Sequence, residues 1–292
     1  MKKFWIAFTA AAAMAATMSA CAFAGENQRV EADGIAFEIP AELSDLVTVK
    51  TDDNGMLVSV YETASIEAAE SDDTGAGWLF GISRLPEAEV KELRCTSMDG
   101  MEVFAEDDDF CLIYNHPTDV RLVREKQEDY EEGFEQYAKL NHWANENVRS
   151  EILANNPELD PEVYTNTSLD IYLAQAAYQP GTNFEVRSLM FVNQEPPMVA
   201  AEDHLEDLAE NFVFEYADTE APDGEYIVLA FPDDDVRFDF FTADDGLIRE
   251  VHTIDGEEYE TIYMANAKEM DEDDTPLSIM QDWVEDILEG ED

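Results

Sequence analysis

Basic side chains are scarce: 16 Lys and Arg stand against 69 Asp and Glu in 292 residues, a formal net charge of −53. A protein that grips nucleic acid by neutralising phosphates needs a basic stripe, and this chain would repel the polyanion. An anionic membrane surface would repel it as well. Histidine and cysteine are also few, at four and three residues. No HExxH sets two histidines one helical turn apart, and no CxxC or Cys/His spacing suggests zinc. Glycine-rich phosphate cradles are missing, since neither GxxxxGK[ST] nor GxGxxG occurs. A hydrolase elbow needs GxSxG; the nearest approach, Gly81-Ile82-Ser83-Arg84-Leu85, has Leu for the second Gly and reads as mid-strand.

Core material is present in quantity. Hydrophobic residues make up 45% and aromatic residues 11% of the chain, whereas acidic disordered chains are poor in aromatic and β-branched residues. The sequence therefore describes a folded, very acidic protein.

Lys2 and Lys3 precede an uncharged, Ala-rich stretch from Phe4 to Ala24 that ends in Ala22-Phe23-Ala24. A positive start, an apolar middle and small residues at the end are the pattern of a signal peptide over residues 1–24. A retained anchor is the competing reading, because about 20 apolar residues can span a bilayer; small residues fill the stretch where Leu and Ile would drive insertion. Met18-Ser19-Ala20-Cys21 also resembles a permissive lipobox of bacterial lipoproteins, with Cys21 as the lipid-bearing residue. Either route gives an extracytoplasmic protein, secreted or lipid-anchored to the cell envelope. Without Cys21 the chain keeps Cys95 and Cys111. They could form a disulfide contributing about 3 kcal/mol, or stand as two buried thiols.

The rest reads as α+β. Strands are predicted at Ile35–Ile39, Leu46–Lys50 and Met56–Tyr61, the last two joined by Asn54-Gly55, a strong hairpin signal. Helices are predicted at Thr63–Glu70 and from Pro86, with strands at Trp78–Leu85, Met101–Ala105 and Phe110–Tyr114. An antiparallel sheet with helical cover follows from this alternation. Tyr130, Phe134, Tyr137, Ala144, Val148 and Ile152 fall on one line of a long helix, predicted to face the core. A second helix covers Ser168–Tyr178, a strand at Phe184–Val192 returns to the first sheet, and an acidic helix at Glu202–Glu210 serves as a connector. After the polar segment 218–224, strands at 226–231, 236–242, 247–254 and 258–264 predict a four-stranded meander, covered by a helix at 276–288. The predicted division is an α+β domain with a helical middle over 25–217 and a small meander domain with its C-terminal helix over 218–292.

Gly34-Ile35-Ala36-Phe37-Glu38-Ile39-Pro40, followed by a hairpin, resembles the first strand of PsbP-like secreted domains. These are α/β sandwiches found in many bacterial lipoproteins. The whole chain is similar to exported proteins of Gram-positive gut anaerobes. Neither resemblance carries an assigned catalytic residue, so none is transferred.

His116, in His116-Pro117-Thr118-Asp119 at a predicted strand end, is the most notable histidine; Thr118 or Asp119 is expected to cap a following helix. His142 and His204 are expected to be exposed, while His252 lies in a strand. Cys111 with His116 lacks a visible orienting group for nucleophilic catalysis. The 69 acids offer any number of carboxylate pairs, so counting singles out none. Oxygen-rich turns at Asp107-Asp108-Asp109, Asp233-Asp234-Asp235, Asp244-Asp245-Gly246 and Asp271-Glu272-Asp273-Asp274 are raw material for divalent cations. The EF-hand register breaks, however: Gly55 at the sixth position puts Lys50 first, and Gly246 puts Phe241 first.

Three readings of the charge stand side by side: acidic composition suited to salt or shared by the host's exported proteins, a module that captures a basic peptide, protein or cation, and an enzyme whose site the sequence does not reveal. A partner site predicts a localised patch mixing acids with exposed aromatics. Trp78, Trp143 and the Phe231-Pro232 tip are the expected exposed aromatics, and Trp78, His116 and Trp143 the candidate contacts. The expectation is an exported, acidic, non-catalytic binding or structural module without a cofactor; a divalent-cation binder and a hydrolase are the alternatives.

Overall fold

A computed structural model of the chain describes residues 27–53, 55–69, 75–107, 110–161, 164, 166–188, 202–241, 246–268 and 275–289. The leader, with Cys21, lies outside them. In chain order the strands are β1 (Gln28–Ala32), β2 (Ile35–Ile39), β3 (Val47–Asp53), β4 (Met56–Glu62), β5 (Trp78–Leu85), β6 (Met101–Asp107), β7 (Phe110–Asn115) and β8 (Asp160–Pro161). They continue with β9 (Glu185–Ser188), β10 (Phe212–Tyr216), β11 (Tyr226–Phe231), β12 (Val236–Phe241), β13 (Leu247–Ile254) and β14 (Glu257–Ala267). The helices are α1 (Ala41–Ser44), α2 (Thr63–Ala68), α3 (Glu87–Arg94), α4 (Tyr130–Asn155), α5 (Ser168–Tyr178), α6 (Glu202–Asn211) and α7 (Pro276–Glu289). The fold is α+β with antiparallel sheets, as predicted. No described helix is long and apolar enough to cross a membrane.

The described residues fall into two compact units, one within 1–79 and 121–155, the other within 80–120 and 156–292. In the first, β1 and β2 form a hairpin missed in the sequence, with Ala32 opposite Ile35. Its turn is Asp33-Gly34, both at positive φ, 48° and 86°, the backbone that a two-residue turn between twisted strands requires. β3 and β4 form the predicted second hairpin, Asp53 opposite Met56. Helix α4 packs against β2, and the Glu38 N–H donates to Glu151 Oε2 at 3.0 Å. Tyr137, Leu140, Trp143, Ala144, Val148 and Ile152 of α4 are buried, with Leu140, Val148 and Ile152 each contributing about 2 kcal/mol relative to exposure.

In the second unit β5, β7, β6 and β8 are hydrogen-bonded in that order, all antiparallel. The other sheet runs β10-β14-β13-β12-β11-β9. Its core joins Leu173, Leu205, Leu208, Phe238, Met280 and Trp283 from the sheet, α5, α6 and α7. Helix α5 starts on a capping box between Thr167 and Asp170, which satisfies helix-end N–H groups. Three expectations change. The four meander strands are the middle of six, flanked by β9 and β10 from before residue 218. The strand after Phe184 pairs with β11 rather than with the first sheet, because Val186 and Phe184 belong to the Phe231 and Trp283 core. The acidic helix is no connector: Leu205, Leu208 and Ala209 form a narrow fully buried line, with Glu206, Asp207 and Glu210 on its other sides.

Candidate functional site

The predicted contacts Trp78, Trp143 and His116 each have their own surroundings. Trp78 is half-buried, and its carbonyl accepts the Tyr137 hydroxyl at 2.9 Å. Trp143 is buried, at 6% exposure, because α4 buries a wider arc than its apolar stripe. His116 follows β7 with its Nδ1 3.3 Å from Pro117 O and its ring 6.0 Å from that of Tyr114. No helix starts at Thr118 or Asp119; a short turn at Gln127–Asp129 leads into α4 instead. Phe231 is buried against Tyr172, Phe184 and Phe238, so the expected exposed tip does not exist. His142 is exposed, whereas His204 is half-buried and stacks on Trp283 at 5.7 Å.

Cys95 and Cys111 are separate thiols. The Cys95 Sγ lies 3.3 Å from Lys91 O and 3.4 Å from Ala174 O, and burial pushes its pKa up. Cys111 sits among Val90, Met98, Val103 and Ile113. Of the acidic runs, Asp233 and Asp234 form a short turn ahead of β12, and those at 107–109, 244–246 and 271–274 lie wholly or partly outside the described residues. Among the described residues no group of three or more His, Cys, Asp or Glu could hold a metal ion.

A buried polar network in the first unit escaped the sequence reading. Glu62, at the end of β4, is fully buried. Arg124 Nη2 donates to its Oε1 at 2.6 Å and Nη1 to Oε2 at 2.9 Å. Gln136 Nε2 adds a bond to Oε1 at 3.0 Å and Ser65 Oγ one to Oε2 at 2.5 Å. The Ser65 hydroxyl in turn accepts the Val123 N–H at 3.0 Å. Glu62 raises the Arg124 pKa further, as a bidentate carboxylate does for a guanidinium. With two donors on each oxygen the carboxylate has little capacity left for proton transfer. Its work is positioning: it fixes the 123–124 segment to α2 and, through Gln136, to α4.

The start of α4 projects above this network. Tyr130 and Phe134, predicted for the core, are 38% and 44% exposed. Their rings are stacked, 6.4 Å between centroids with planes 21° apart. Glu128, Asp129, Glu131, Glu132 and Glu135 around them are all exposed. Val148 and Ile152 continue the same stripe and are fully buried. The stripe is thus covered along its C-terminal half and bare along its first turns. The sequence held one hint of local crowding, Gly133 inside a helical pattern, where Gly costs about 1 kcal/mol against Ala.

Much of the positive charge is taken up by ion pairs within the chain, some at the surface and some buried. Arg29, Lys50, Lys126 and Arg187 pair with Glu31, Asp53, Glu128 and Glu185. Lys91 meets Glu87, Glu206 and Glu210 at 2.8–3.1 Å. Arg237 and Arg249 flank Asp239, which is fully buried. Arg94, only 4% exposed, lies 3.9 Å from the Tyr164 ring centroid and donates to Ala209 O. Comparison with protein-family models, curated proteins and solved structures finds no match to this chain.

Proposed function

We propose that the protein is an exported, acidic binding module acting at or outside the cell envelope, non-catalytic, with a basic polypeptide as its partner. The observation that carries this reading is where the charges go. Arg124, Arg237 and Arg249 are held by the buried carboxylates of Glu62 and Asp239, so these scarce cations do little to offset the acids left facing solvent. Such a surface raises the local concentration of cationic partners and speeds their encounter. Glu62, the deepest carboxylate of the first unit, is consumed by hydrogen bonds, which supports a scaffold role for it. Export rests on the leader, whose pattern supports removal after Ala24 or at Cys21.

Two measurements test the proposal. Intact mass of the protein recovered outside the cytoplasm should correspond to a chain starting at Gly25 or at a lipid-modified Cys21; an intact leader rejects export. Fluorescence anisotropy with a labelled lysine-rich peptide should show saturable binding at low salt that weakens as salt rises, and a glutamate-rich peptide should not bind. Absence of saturable binding to the lysine-rich peptide rejects the partner class.

A further inference from the structure

We infer that the first turns of α4 are the docking site for a basic amphipathic helix of another polypeptide. The inference rests on the proposed function and names its site and the form of its partner. Tyr130 and Phe134 are one helical turn apart, partly exposed and already stacked on one another. They form a small flat apolar platform. Aromatic side chains bury much area at little entropic cost, which is why they recur as anchors in interfaces. Here the cost is reduced further, because the ring pair is formed before any partner arrives.

Charge selects the occupant. The exposed acids around the platform are Glu125, Glu128, Asp129, Glu131, Glu132 and Glu135. Two cations lie near them: Lys126, 3.8 Å from Glu128, and the exposed Lys139, one turn beyond Glu135. An acid-bearing first turn also suits the helix dipole, but the dipole acts within that turn and asks for no aromatic pair. Glu135 lies beyond that turn. A nucleic acid or an anionic membrane would be repelled, as would a second copy of this chain.

Spacing selects the partner's form. The rings at 130 and 134 and the carboxylates at 131 and 135 are parallel rows, each repeating every four residues. A partner helix with apolar residues at i and i+4 and lysine or arginine beside them matches both rows at once. An extended segment alternates sides every residue and matches neither. The platform is also held rigidly. Gln136 bonds to Glu62 at 3.0 Å, and the Arg124 guanidinium lies against Gly133, so the ring pair stands on a fixed helix.

The test uses the full mature chain and two labelled peptides of equal length and charge. One is a leucine–lysine peptide with helical amphipathic periodicity, and the other has the same composition scrambled to remove the periodicity. The wild-type protein should prefer the periodic peptide by about tenfold, the weight of one or two anchor residues. Tyr130→Ser combined with Phe134→Ser should abolish that preference while leaving binding of the scrambled peptide unchanged. Tyr130→Phe combined with Phe134→Leu should restore it. Glu131→Gln with Glu135→Gln should weaken both peptides and flatten the salt dependence. Thermal unfolding of each variant checks that the fold is kept, as exposed positions predict. Equal binding of the two peptides by wild type, or a preference that survives the Ser variants, rejects the site while leaving the charge-based function standing. No binding of either peptide at low salt rejects the function itself. Sedimentation showing a dimer that the Ser variants dissociate overturns the inference in favour of a second copy as occupant.

Discussion

Gly133 lies directly against Arg124: a Cβ built at Gly133 would stand 2.3 Å from Arg124 Nε and 2.7 Å from its Cζ. In an ordinary helix interior, Gly→Ala gains about 1 kcal/mol. Here the guanidinium cannot retreat without releasing Glu62, so the sign reverses. Gly133→Ala is expected to destabilise by about 2 kcal/mol, in the range of overpacked sites. The double variant with Arg124→Met should cost little more than Arg124→Met alone, since the clash and the network share one side chain. Urea unfolding midpoints measured at constant slope decide it; an additive double variant would mean that the contact does not transmit to Glu62.

Removing either member of the Glu62–Arg124 pair should have unequal effects. Arg124→Met leaves a fully buried carboxylate with only Ser65 and Gln136 as donors, and breaking a buried pair in this way costs about 3–5 kcal/mol. Glu62→Gln keeps a hydrogen-bonding side chain and strands a guanidinium whose side chain is 11% exposed, so about 1–2 kcal/mol is expected. Chemical denaturation that ranks the two the other way would show that Arg124 rather than Glu62 is the costly ion to strand.

The places where sequence reading succeeded share a local cause. Turn chemistry is written in two residues, so the hairpins at Gly55 and at Asp255-Gly256, where φ is 54° and 83°, were legible. So was α5, whose apolar spacing ends at Pro180-Gly181. Strand β1 was not, because Val30 is its one buried residue and Gln28, Arg29 and Glu31 around it are polar. Periodicity located the apolar stripe of α4 but not where its covering neighbours stop, and that leaves Tyr130 and Phe134 bare while Trp143 is buried. Glu62 could not be told from the other acids; its partner Arg124 is 62 residues away in sequence. Only folding singles it out.

Lys91 links α3 to α6, and its partners set stability at both ends of the pH scale. Burial pulls the ammonium pKa down, but the hydrogen bonds it donates to Glu206, Glu210 and Glu87 outweigh it and hold the pKa well above the ordinary lysine range. Burial pushes Glu210 up, yet Lys91 and Tyr178 outweigh that and hold its pKa below the ordinary 4.5. The Glu210 contribution is therefore complete above its unfolded pKa and lost as acid titrates the folded carboxylate. The Lys91 contribution is complete below 10.5 and lost as pH rises beyond it. Because these groups are partly solvated, the whole cluster is worth about 1 kcal/mol. Lys91→Met should lower the melting temperature at neutral pH and narrow the gap to wild type at both extremes. A gap constant with pH would assign the effect to packing alone.

Tyr61 donates to Asp53 Oδ2 at 2.8 Å across the β3–β4 hairpin. Burial first, and the Asp53 carboxylate second, push its pKa up to about 12. Between the unfolded value of 10.0 and that folded value, the folded protein keeps a proton the unfolded chain has lost, so this contribution to stability falls as pH rises across the interval. The phenolate absorbance difference between wild type and Tyr61→Phe should give a midpoint near 12. Asp53→Asn should move it down without bringing it to the ordinary value, since burial is the larger cause. A midpoint near 10 in the wild type would mean that the hairpin opens to solvent before Tyr61 ionises.

Thiol chemistry reports on the compartment and on the core at once. Cys95 and Cys111 are each 1% exposed, and thiol reagents need both access and the thiolate. Burial denies access to both, and it raises the Cys95 pKa even though Arg94 beside it favours the thiolate. Native protein purified without reductant should therefore react negligibly with a disulfide reagent at neutral pH, and two thiols per chain should appear on denaturation. A third thiol would identify Cys21 and hence an uncleaved leader, which intact mass separates from a lipid-modified Cys21 whose sulfur no longer titrates. Finding none would mean that the two cysteines are bridged, and reducing the protein would then lower its stability by about 3 kcal/mol instead of leaving it unchanged.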